Sequence, residues 1–89
     1  MANIWGLDVE QVRQLAREMD VASGDLQNIM SKLTNLLSST QWSGPDAERF
    51  RSDWQSTHAQ SLMRAKAALE ETAGAARNNA AAQESASNQ

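Results

Sequence analysis

The apolar residues between Val9 and Leu37 fall into one repeating order. Val12, Leu15, Met19, Ala22, Leu26, Ile29, Leu33 and Leu36 follow one another at steps of 3, 4, 3, 4, 3, 4 and 3. That heptad rhythm places all eight on the same stripe of an α-helix. The residues between them are mostly Gln, Arg, Glu, Asp, Ser, Asn and Lys, so the opposite face is wet. Met30 and Leu37 widen the stripe near its C-terminal end, enough to touch more than one neighbouring helix. Gly24 lies off the stripe and costs about 1 kcal/mol relative to Ala; the register is unchanged across it, so the helix is expected to continue. Asp8 followed by Gln11 has capping-box spacing with Leu7 at the staple position, which predicts a start at Val9. Ser38, Ser39 and Thr40 compete for backbone hydrogen bonds and lead out of the helix. A first helix over residues 9–40 would be roughly 48 Å long at 1.5 Å per residue. Within an 89-residue chain, that length suits a rod better than a compact globule.

The chain turns at Gln41-Trp42-Ser43-Gly44-Pro45-Asp46. Pro45 cannot continue a helix that began before it, and it pushes Gly44 out of the α region. It does suit the first position of a new helix, with Gly44 as N-cap and Asp46 and Glu48 beside the positive end of the helix dipole. The second helix is predicted over 45–78, with Ala47, Phe50, Trp54, His58, Leu62, Ala65, Leu69, Thr72 and Ala76 on its apolar side. After Phe50 the first steps are 4, 4, 4 and 3, so this stripe drifts round the helix. Large side chains are confined to its first half, and the distal third is expected to pack weakly. Residues 79–89 are small, polar and aperiodic, which predicts a disordered tail. Residues 1–7 form an N-terminal arm with Ile4, Trp5 and Leu7; Trp5 is expected to pack onto the helices, with recognition as the alternative.

Two long helices joined by a four-residue turn must lie antiparallel. The fold class expected is therefore all-α, a helical hairpin. Such a hairpin leaves part of each apolar stripe exposed, and contiguous exposed apolar area marks a contact surface. Two hairpins side by side, as a four-helix bundle, would cover it. The residues assigned to dimer or hairpin packing are Val12, Leu15, Met19, Leu26, Ile29, Leu33, Leu36, Phe50, Trp54 and Leu62.

Composition narrows the chemistry. The absence of Cys removes disulfides, thiolate metal sites and cysteine catalysis. One His, His58, does not make a multi-ligand zinc site, and it is read as a packing residue rather than a catalytic base. Asp46, Glu48, Asp53, Glu70 and Glu71 read as solvated helix surface, with no pair set apart for acid catalysis. No enzyme, metal or cofactor is expected. Net charge is −3 with scattered basic residues, which argues against nucleic acid and against an anionic membrane surface. The N-terminus lacks the basic and apolar regions of an ordinary secretory signal, and no apolar run approaches a membrane span.

Trp42-Ser43-Gly44 at the midpoint of a helical hairpin of this length, with Pro45 and Asp46 starting the next helix and Phe50 and Trp54 following, resembles the WXG family of small substrates of type VII (ESX, Esx-type) secretion. The resemblance covers Asp8 to about Asn78. It implies a non-enzymatic hairpin that pairs with a copy of itself or with a paralogous Esx-type chain. It further implies export without a cleaved signal peptide, from the cytoplasm, through recognition by a secretion ATPase. Trp42 and Gly44 are the only residues carried over as secretion-signal residues. Family members often add a Tyr-x-x-x-Asp/Glu signal after the second helix. This chain has no Tyr, and Ala73 to Gln89 offers no replacement, so either a partner supplies that half or another signal is used. Trp42 has two readings, a plug at the bundle end alone or plug and export signal together; Gly44 is read as conformational. Rival functions are a cytoplasmic helical adaptor or chaperone for a larger exported protein, and a membrane-active effector, for which no basic amphipathic face is present.

Overall fold

The computed structural model describes residues 7–88; Ile4 and Trp5 of the expected arm lie outside them. The first helix, α1, runs Val9–Ser39. Its start is fixed by Asp8, whose carboxylate accepts from the Gln11 backbone N–H at 3.0 Å, as the capping pattern requires. Pro45 opens α2, Pro45–Asp53. A π-helical turn, Trp54–His58, joins it directly to α3, Ala59–Ser87. The result is an antiparallel hairpin of two arms, all-helical among the described residues, measuring 66 × 17 × 14 Å.

The core between the arms is a single seam. From α1 it takes Val9, Val12, Ala16, Met19, Ser23, Leu26, Met30 and Leu37. From the second arm it takes Ala47, Arg51 and Trp54, then Ala59, Leu62, Lys66, Leu69, Ala73, Ala76, Ala80, Gln83 and Ser87. On each side of the π turn these positions keep steps of 3 and 4. Between Trp54 and Ala59 the step is five. There the Ala59 backbone N–H reaches back to the Trp54 carbonyl, a wider ring than the α-helix makes, which absorbs one extra residue and returns the stripe to register.

That extra residue explains the drift in the sequence and corrects the expected face. His58 is exposed, not packed; Ala65 and Thr72 are exposed, and Lys66 and Ala73 occupy the seam in their place. The tail expectation also fails. Helix α3 continues to Ser87 past the residue-78 boundary, because the Ala-rich segment keeps the heptad rhythm in residues small enough to let α1 approach closely. Ala73 and Ala80 are fully buried, and so is Ala16 opposite. Polar links complete this end. Arg13 makes a bidentate pair with Glu84, both contacts at 3.0 Å; Arg77 pairs with Asp20; and Ser23 donates to Glu70 at 2.8 Å.

Two consequences can be measured. Deleting residues 80–89 is expected to lower Tm by about 5–10 °C in a circular-dichroism melt, since a loss of about 1 kcal/mol shifts a domain this size by roughly 4–8 °C; an unchanged melt would contradict the docked helix end. The second concerns acid. Donation from Lys66, and then from Ser23, holds the Glu70 carboxyl below the usual carboxylate range, and Arg13 does the same for Glu84. A carboxylate with a depressed folded pKa stabilises fully above its unfolded value and loses that contribution as pH falls through the folded one. Tm is therefore expected to be level from pH 8 to 6 and to fall below about pH 5. Glu84→Gln should flatten that fall, modestly because the pair is exposed and screened.

Candidate interaction site at the turn and outer face

The two arms share one seam, yet α1 carries a stripe wider than one seam can use. Val12, Met19 and Leu26 point inward and are half-buried, as are Trp54 and Leu62. Leu15, Ile29, Leu33 and Leu36 do not; Leu15 is 51% exposed, Ile29 48% and Leu36 49%. Leu15, Ala22, Ile29 and Leu36 recur every seven residues, so they form one line along the outer flank of α1. Phe50, 51% exposed, extends this face onto α2. Leu33, Leu36, Leu37, Phe50 and Trp54 together line an apolar cleft of about 190 Å³. Of the ten residues assigned to packing, five thus serve the hairpin and five face outward. No large side chain is fully buried among the described residues.

At the end of this face the turn is built around Arg51, one of the basic residues scattered along the chain. Helix α1 has no basic residue in its last turn, and its final carbonyls lack intrahelical donors. Arg51 reaches across from α2 to one of them and to two carbonyls just past the helix end. Its Nε donates to the Leu37 carbonyl at 2.9 Å, Nη2 to the Thr40 carbonyl at 3.0 Å and Nη1 to the Trp42 carbonyl at 2.8 Å. The guanidinium also lies 6.0 Å from the Trp42 ring centroid. Trp42 packs on Phe50 with centroids 5.6 Å apart and planes tilted by 57°. The indole is thereby held in one place while 42% of the residue stays exposed. A signal for Arg51 was present in its spacing, four residues after Ala47 and three before Trp54. A charged side chain on an apolar line is easily passed over.

Gly44 has φ 114° and ψ 175°, a region only glycine enters without strain. Its carbonyl accepts from Glu48 N–H at 3.1 Å and begins α2. Trp54 spans the arms a turn further on, its Nε1–H donating to Thr34 Oγ1 at 2.9 Å. Among the described residues no group of three or more His, Asp or Glu is placed to hold a metal ion, and no helix is long and apolar enough to cross a membrane.

Comparison with known proteins returns no matching family model, no matching characterised protein and no matching solved structure.

The turn geometry can be tested by two substitutions. A Cβ at residue 44 would meet no atom within 4 Å, so Gly44→Ala isolates the backbone term and is expected to cost about 1–3 kcal/mol in urea unfolding. Arg51→Lys keeps the charge but not the three-way fork. It should destabilise by about 1–2 kcal/mol and raise the fluorescence anisotropy decay rate of Trp42; equal stability would show that the fork is dispensable.

Proposed function

We propose that this chain is a non-enzymatic substrate of type VII secretion, or the secretion partner of one, that acts as a dimerised hairpin presenting the Trp42-Ser43-Gly44 turn to the export ATPase. The observation that carries the proposal is the uncovered apolar line on α1, from Leu15 through Ile29 and Leu33 to Leu36, running into Phe50 beside a turn that holds Trp42 partly exposed. Burying a Leu, Ile or Phe side chain fully is worth about 1.5–3 kcal/mol, so a second hairpin laid on this line gains far more than solvent offers. The partner is a copy of this chain or a paralogous Esx-type chain, completing a four-helix bundle. Pairing would put the Trp42 turn at a bundle end, already ordered by Arg51 and Phe50, so that recognition need not pay again for fixing an aromatic side chain. The chain would be cytoplasmic before export and secreted without a cleaved signal peptide.

Sedimentation at micromolar concentration should give a dimer, or a complex with a co-expressed paralogue. The double variant Ile29→Glu, Leu36→Glu should sediment as a helical monomer. A wild-type chain that stays a stable monomer, alone and with every neighbouring paralogue, would defeat the pairing. Trp42→Ala should reduce export through the secretion ATPase more than it reduces helical content. Equal export of that variant would remove Trp42 from the signal, and wild-type chain retained in the cell would favour an adaptor instead.

A further inference from the structure

The apolar line on α1 is bordered, on the side away from the seam, by a second line that neither the hairpin nor the turn uses. Glu18, Asp25 and Lys32 follow Leu15, Ala22 and Ile29 by three positions each, so they keep the same heptad spacing and lie beside them. All three are exposed. Glu18 accepts from the Gln14 amide at 2.9 Å, and among the described residues none of the three joins an ion pair. Two negative charges followed by a positive one give this border a direction. Two copies of α1 laid line to line in parallel would set each charge beside its own likeness. Laid antiparallel, they can set Glu18 of one copy beside Lys32 of the other, once on each side of a two-fold axis.

An antiparallel pair can slide in steps of one heptad, and apolar contact selects the step. When Leu15 of one copy faces Leu36 of the other, Ala22 faces Ile29, so all four positions of the line are used and bulky Ile29 meets a small residue. Leu15 then stands over the apolar cleft of about 190 Å³ that Leu36 and Phe50 help to line. One step towards the turn, Ala22 takes that place, too small to fill the cleft, and Leu15 runs past the end of α1. That step would pair Lys32 with Asp25, yet burying a leucine outweighs an exposed ion pair. One step the other way sets Glu18 beside Asp25 and leaves Leu36 without a counterpart. In the selected step only Asp25 faces its own copy, across the axis. We propose that the occupant of this line is a second copy of the chain, antiparallel, with Leu15 of each copy in the cleft of the other and Glu18 paired with Lys32 on both sides of the axis. The proposal rests on the pairing put forward above and fixes its occupant, direction and register.

Zero-length cross-linking of the full wild-type chain tests it. A carbodiimide couples a lysine amine to a carboxylate in direct contact, and the chain has only two lysines, Lys32 and Lys66. Lys66, already paired with Glu70, is the internal control. Within one molecule Glu18 and Lys32 are fourteen residues apart on α1, about 21 Å, so an amide between them can form only between copies. Mass spectrometry of the cross-linked dimer should find that amide. In sedimentation, Lys32→Glu should weaken self-association about tenfold, and the exchange Glu18→Lys, Lys32→Glu should return it to within about threefold of wild type. Asp25→Asn should tighten it by about threefold, since it removes the one like-charge contact. A dimer linked from Lys32 to Asp25 instead, or one with no link through Lys32 and no rescue by the charge exchange, would overturn this register and leave the pairing standing. A complex formed only with a co-expressed paralogue would overturn the choice of occupant. A chain that stays monomeric alone and with every paralogue would overturn the pairing as well.

Discussion

An antiparallel pair of helices can shelter, on each member, only the row of side chains that points at the other. The open flank of this molecule follows from that limit. The seam between the arms takes Val12, Met19, Leu26 and Met30 from α1, and the line through Leu15, Ile29 and Leu36 is left on the flank. In a larger domain a third element would cover such a line. Here the remaining chain is spent on making the second arm as long as the first, so the flank stays open and pairing with another hairpin is the reading it favours.

Length is kept at the cost of side-chain bulk. The distal half of the seam is built from Ala16, Ser23, Ala73, Ala76 and Ala80, which bury little area each but bring the two backbones close. Links at the edges compensate: Arg13 with Glu84, Arg77 with Asp20, Ser23 with Glu70. The turn-proximal half uses Met30, Leu37 and Trp54 instead. The π turn at Trp54–His58 lies where one kind of packing gives way to the other. By taking up one residue, it lets both halves of the second arm aim their stripes at a single straight α1.

The turn solves a different problem. Helix α1 ends in carbonyls that the helix itself does not all satisfy, and α2 begins after a glycine in a conformation closed to other residues. Arg51 ties the two together through three carbonyls and leaves its guanidinium beside Trp42. One side chain therefore sets both the closure of the hairpin and the placement of the aromatic ring that the proposed function relies on. A lysine could neutralise the helix end but could not serve three carbonyls in a fixed plane.

The sequence by itself determined what is local: the start of α1 at Asp8, the break at Gly44-Pro45, the conformational need for glycine there, and a heptad stripe too wide for one contact. These depend on neighbours within a few residues, which a linear reading sees directly. Tertiary structure alone decided which edge of that stripe turned inward. Val12 and Met19 lie about 60° round the helix from Leu15 and Ala22, and only the partner arm selects between them. It also decided that His58 faces out, since a π turn costs the second helix one residue of register that only packing against α1 rewards. Residues 79–87 read as tail because alanine and small polar residues have no burial signal of their own; they become core only where α1 comes near enough to make small size an advantage. Arg51 was hidden for a similar reason: the carbonyls it serves lie nine to fourteen positions away, close in space only after the chain has turned.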